Sequence, residues 1–168
     1  MQSSARRAVT PVVGSEASAA VVPAVVEEAS KIVMSDAVIR GVSLQLDVSP
    51  SLPHITGNRI QLQQVVLNLL LNALDAVTSR AGFPRIIKLS TYKREPDGVV
   101  VSVSDNGPGL PAGADAIFEA FYTTKPSGTG LGLSIARSIV EAHSGTIHAR
   151  NRQGGGAVFH VTLPCTMD

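Results

Sequence analysis

The sequence has no tryptophan and only four phenylalanines and two tyrosines. Its core must therefore be aliphatic, and an apolar content of 44% supplies the Val, Leu, Ile and Ala to build one. Charge is also scarce. Asp, Glu, Lys and Arg make up 16% of the residues and sum to +1. Without a Lys/Arg cluster there is no basic stripe of the kind that grips duplex nucleic acid, so no nucleic-acid partner is expected. The single cysteine, Cys165, excludes a disulfide within the chain and suits a reducing compartment.

No stretch reaches the roughly 18 uncharged apolar residues of a membrane span. The chain is accordingly read as soluble and cytoplasmic, with no membrane contact by this segment. Arg6 and Arg7 precede an apolar stretch and Ala17-Ser18-Ala19, which hints at a signal peptide. Thr10, Pro11, Gly14 and Glu16 break that stretch. Residues 1–20 are expected to be a flexible leader or linker, and 21–168 a single domain of ordinary size.

Periodicity divides that domain. Residues 22–34 place Val22, Val25, Val26, Ala29, Ile32 and Val33 on one side of a helix. Alternation at 42–48 predicts a half-buried strand, followed by a proline turn. A long helix begins at Asn58, which can cap it with Gln61 in a capping-box arrangement, and runs to about Thr78. Strands at 85–92 and 98–104 read as a hairpin. Residues 105–130 hold five glycines and three prolines and predict a long lid loop with a short helix near 116–121, clipped to the core by Phe118 and Phe121. A helix over 131–143 follows, with Gly145 suited to its left-handed C′ position. Strands at 145–150 and 156–163 close the chain. Strands that pair in hairpins rather than alternate with helices favour an α+β fold: a two-layer sandwich with a mixed, mostly antiparallel sheet of about five strands against three helices.

Three segments carry chemistry. On the long helix, Gln61, Gln64, Asn68, Asn72 and Asp75 recur at steps of three, four, four and three, which puts them on one narrow face. Such a stripe is either an ordinary solvated face or a ligand face; compact oxygen donors rather than Lys and Glu favour a site for Mg²⁺ and phosphate oxygens. Asp105, released from an apolar strand into Asn106-Gly107-Pro108-Gly109, is a good acceptor for an exocyclic amine such as that of adenine. Pro108 and Pro111 exclude the helix that a dinucleotide fingerprint needs at this point. Finally, Gly128-Thr129-Gly130-Leu131-Gly132-Leu133 runs into a helix and offers free N–H groups to an anion, with Lys125 just before it.

Taken in order, these segments resemble the Bergerat-type ATP-binding fold shared by gyrase, Hsp90, MutL and histidine kinases. Most of all they resemble the catalytic and ATP-binding domain of sensor histidine kinases. QLQQVVLNLLLNALDAV is similar to that family's N box, DNGPGL to its G1 box, FEAFYTTK to its F box and GTGLGLSIARSIVEAHSGTI to its G2 box. Asp75 and the Phe-Tyr-Thr-Thr-Lys of the lid look like the nitrogen- and oxygen-sensing subtype.

The resemblance implies ATP and Mg²⁺ as cofactors. It implies that Asn72 coordinates the metal, with Asn68 on metal or phosphate and Asp75 in the same pocket. Asp105 would accept the adenine amine, with Gly107, Gly109 and Leu110 shaping the base pocket. Thr124, Lys125 and the backbone of Gly128, Thr129, Gly130, Leu131, Gly132 and Leu133 would hold the phosphates, so the catalytic set is Asn68, Asn72 and Lys125. Gyrase-like ATPases have a glutamate where this chain has Asn68, and an amide cannot act as a base at neutral pH. Ala157 stands where the family often places a hydroxyl residue beside the adenine aspartate. None of His54, His143, His148 and His160 begins an acceptor-helix signature, and each is expected to be structural. The expected protein is thus a monomeric catalytic domain of a phosphotransferase. Its partners would be a separate dimerisation and phosphoacceptor domain and a downstream response regulator. Competing readings are a self-contained ATPase, an anti-sigma-like serine kinase and a non-catalytic binding module.

Overall fold

A computed structural model describes residues 18–20, 22–111, 114–123 and 130–166. Among the described residues, seven strands and three α-helices follow one another as β1 (Ser18–Ala20), α1 (Val22–Ile39), β2 (Val42–Val48), β3 (Ile55–Gly57), α2 (Arg59–Thr78), β4 (Arg85–Arg94), β5 (Gly98–Asp105), a 3-10 turn (Ala114–Phe118), α3 (Gly132–Ala142), β6 (Thr146–Asn151) and β7 (Ala157–Pro164).

The main sheet has the order β2-β4-β5-β7-β6. Only β2 and β4 pair in parallel; the other neighbours are antiparallel. A parallel pair needs a crossover, and α2 lies within it. That helix packs between α1 and α3 and over β4 and β5. The two-layer α+β sandwich with five strands and three helices is therefore the observed fold.

The core is aliphatic, as the lack of aromatics requires. Leu69, Leu70, Leu74, Leu89 and Val99 are among its fully buried side chains, with Phe159 the one aromatic of that group. Burial of each large side chain contributes about 1.5–3 kcal/mol. Helix α2 is apolar enough for a mean hydropathy of 1.2 over an 18-residue window. Its apolar sides are used in this core: Leu62, Val65, Val66, Leu69, Leu70, Ala73, Leu74 and Val77 are all buried.

Several expectations are corrected. Residues 18–20, the end of the expected leader, pair antiparallel with β3, a short strand that its proline-rich flank concealed. Ile32 is 55% exposed because the buried line of α1 continues through Val33 to Ala37 and leaves Ile32 on its margin. Ser144, not Gly145, takes the left-handed position after α3, at φ 57°. Gly145 is required for another reason: a Cβ there would lie 2.5 Å from the Thr162 carbonyl oxygen. Phe118 is buried edge-on against Phe159 at 6.2 Å between ring centroids. Phe121 does not share that role. It is 75% exposed, and its backbone N–H donates to the Gly130 carbonyl instead.

Candidate functional site

Helix α2, the end of β5 and the start of α3 enclose an open cleft of about 710 Å³, within the range of small-molecule sites. Asn68, Asn72 and Asp75 enter from α2, Asp105, Gly109 and Leu110 from the β5 turn, and Gly130, Gly132 and Leu133 from the start of α3. Gly107 and Leu131 adjoin lining residues in the chain. The remaining stripe residues, Gln61 and Gln64, are exposed nearer the start of α2 and do not line the cleft. Thr124, Lys125, Gly128 and Thr129 lie outside the described residues.

The Asp105 end of the cleft is fixed by the sheet. Asp105 is 1% exposed. Its carboxylate accepts hydrogen bonds from the backbone N–H groups of Gly107, at 2.9 Å, and of Ala157. Burial pushes its pKa above the ordinary 3.8, opposed by those two N–H groups and by the charge of Arg152. The Arg152 guanidinium also donates to the Asp105 carbonyl at 2.9 Å. Only glycine fits beside this carboxylate. A Cβ on Gly107 would sit 2.9 Å from the Ala76 carbonyl, and one on Gly156 would collide with the Asp105 carbonyl oxygen. Ala157, whose backbone N–H bonds the carboxylate, also lines the cleft and has no hydroxyl to offer.

The turn after Asp105 is tied down by two asparagines. Asn106 accepts from the Ile86 N–H at 2.9 Å and donates to the Pro84 carbonyl at 2.6 Å. Asn151 accepts from the Leu110 N–H at 2.6 Å, and its Oδ1 would be 2.8 Å from a Cβ on Gly109. Neither Asn151, Arg152 nor Gly156 stands out in the sequence, because each acts on a residue more than 40 positions away.

The other end of the cleft rests on side chains. The Asn68 amide donates to the Gly132 carbonyl at 2.9 Å and so joins α2 to the first turn of α3. Asp75 accepts from Arg40 at 3.0 Å, and Arg40 in turn holds Asp36 at 2.8 Å. No sequence signal marks Arg40; the end of α1 simply passes beside α2. A Cβ on Gly132 would meet nothing within 4 Å, so the glycine there faces open space. Among the described residues no group of three or more His, Cys, Asp and Glu could hold a metal. Amide and carboxylate oxygens on one helix face suit a magnesium ion that keeps waters and shares phosphate oxygens, rather than one in an all-protein cage.

Residues 57–167 match the family of histidine kinase-, DNA gyrase B- and HSP90-like ATPases. The chain is 38% identical over 135 residues to the sensor histidine kinase TmoS of Ectopseudomonas mendocina, covering 79% of this chain and 14% of that protein. It is 40% identical over 135 residues to the sensor histidine kinase ZraS of Escherichia coli K12, covering 80% and 28%. The chain thus spans well under a third of these curated relatives.

Among solved structures, the nucleotide-free catalytic domain of histidine kinase ThkA aligns with a TM-score of 0.78 and 30% identity, over 89% of this chain and 96% of that one. Full-length ShkA in complex with AMPPNP gives 0.80 and 26%, over 93% and 32%. ThkA in complex with the response regulator TrrA gives 0.75 and 27%, over 89% and 42%.

Proposed function

Because the chain belongs to the family of histidine kinase-, DNA gyrase B- and HSP90-like ATPases, we propose that it binds ATP with magnesium in this cleft and presents the γ-phosphate to a histidine on a separate dimerisation domain. One observation carries the reading. Asn72, on a helix face, and Asp105, at a strand end 33 positions later in the sequence, line one cleft of nucleotide size.

In this reading Asp105, ionised, accepts the adenine amine, while Gly107 and Gly109 let the base lie close to the backbone. Asn72, with Asn68 beside it, faces the metal and the phosphates, and Asp75 completes the polar wall. The N–H groups opening α3, from Gly130 to Leu133, hold phosphate oxygens, helped by Thr124, Lys125, Gly128 and Thr129. Bound magnesium would neutralise charge on the phosphates and so favour transfer. The chain itself orients the nucleotide and leaves the acceptor to its partner. Residues 21–168 form the ATP-binding unit and act in the cytoplasm, where ATP is supplied. A response regulator would receive the phosphoryl group, as a partner of the kind seen bound to ThkA.

A self-contained ATPase is the second reading. Asn68 disfavours it, since an amide already donating to Gly132 is no base for water. The test is incubation with labelled Mg·ATP, with and without a dimerisation domain from a related kinase. Phosphohistidine should form on the added domain and not on this chain. Steady phosphate release by the chain alone, with no label on the domain, would replace the proposal by the ATPase reading.

A further inference from the structure

Helix α3 brings its first turn to the cleft, so its position along α2 decides where its N–H groups point. Two hydrogen bonds fix that position. At the cleft, Asn68 donates to the Gly132 carbonyl at 2.9 Å. Ten residues earlier, at the N-cap of α2 and about 15 Å along the axis, the backbone N–H of Asn58 donates to Nε2 of His143 at 3.0 Å. His143 follows the last residue of α3, so the two helices run antiparallel and are clasped at both ends.

The far clasp takes the place of half a capping box. Asn58 Oδ1 accepts from the Gln61 N–H at 3.0 Å, as the sequence predicts for the N-cap. In a capping box the residue three positions on would return a bond to the N-cap's own N–H. Here that N–H goes to a ring on another helix. The arrangement fixes the tautomer: Nε2 must carry the lone pair, and Nδ1–H then donates to the Ile139 carbonyl at 2.7 Å. The ring also needs the space left by a glycine. A Cβ on Gly57 would lie 2.6 Å from its Cδ2 and 2.9 Å from Nε2.

We propose that His143 is a positioning residue: through the Asn58 N–H it sets the register of α3 against α2, and thereby the placement of the phosphate-facing first turn of α3. The inference rests on the nucleotide reading of the cleft. It separates the two ends of that cleft, because Asp105 is held by β5 and β7 and does not depend on α3.

Calorimetry on the 168-residue chain with Mg·ATP and with adenosine tests it. His143→Ala and Gly57→Ala, the second of which displaces the ring without altering any polar side chain, should each weaken Mg·ATP about tenfold, as loss of a partly buried hydrogen bond allows. Adenosine affinity should be unchanged in both. His143→Gln, whose side-chain oxygen can reach the Nε2 position, should restore most of the Mg·ATP affinity and covers the case in which the alanine variant fails to fold. Equal weakening of both ligands, or unchanged Mg·ATP affinity in Gly57→Ala and His143→Gln alike, overturns the positioning role. A wild-type chain that binds adenosine but shows no gain for Mg·ATP overturns instead the phosphate reading on which it rests.

Discussion

The two ends of the cleft are built differently. At one end Asp105 is buried at a strand terminus, accepts two backbone N–H groups and is enclosed by glycines that tolerate no side chain. At the other, Asn68, Asn72 and Asp75 lie half-buried on a helix, and a few side-chain bonds to α1 and α3 align the parts. The Asp105 end is pre-formed by the sheet. The helix end is assembled from separate helices joined by side-chain hydrogen bonds.

The largest expected effect lies at the sheet end. Asp105→Asn should weaken ATP about 100-fold, because it removes the charged acceptor; calorimetry checks this at a temperature where thermal unfolding shows the variant still folded. A loss below threefold would mean that the base binds elsewhere. The helix end should respond less and differently. Asn72→Ala should cost about tenfold in affinity and abolish its magnesium dependence. The domain should stay folded, since Asn72 lies outside the buried core. Magnesium dependence that survives the change would refute the metal role.

Acidification should separate the ends further. The pKa of Asp105 is raised by burial, so the folded form takes up a proton at a higher pH than the unfolded form. This group therefore stabilises the fold below its ordinary 3.8, and that contribution is lost as pH rises through the raised value. Nucleotide binding runs the other way, because only the ionised carboxylate accepts the amine without reorganising. ATP affinity should fall on acidification before ordinary carboxylates titrate, and the fall should be absent from Asp105→Asn. The smallest effect is a gain. Ala157→Ser would place a hydroxyl on the cleft wall beside Asp105 and should tighten ATP about threefold without changing the metal dependence.

Local patterns revealed nearly all of the elements. The alternation at 42–48 and the cap at Asn58 matched their boundaries, because each is set by side chains within a few residues. The spacing of Asn68, Asn72 and Asp75 on one face follows from the helical period alone. What stayed hidden was long-range. The expected apolar side of α1 included Ile32 because the pattern does not say how wide the buried stripe is. Phe121 looked like an anchor because hydrophobicity does not report that its φ is 66° and its ring points outward.

Sequence by itself determined the helix face of oxygen donors, the aspartate released from an apolar strand and the glycines that follow. All of these are fixed by periodicity and backbone sterics over short range. Tertiary structure alone decided that Asn72 and Asp105 share a cleft, that Arg40 holds Asp75, and that His143 rather than Gln61 answers the Asn58 N–H. The reason is physical: a hydrogen-bond donor accepts any partner that packing brings within reach, and which partner arrives depends on the crossing of elements, not on spacing in the chain.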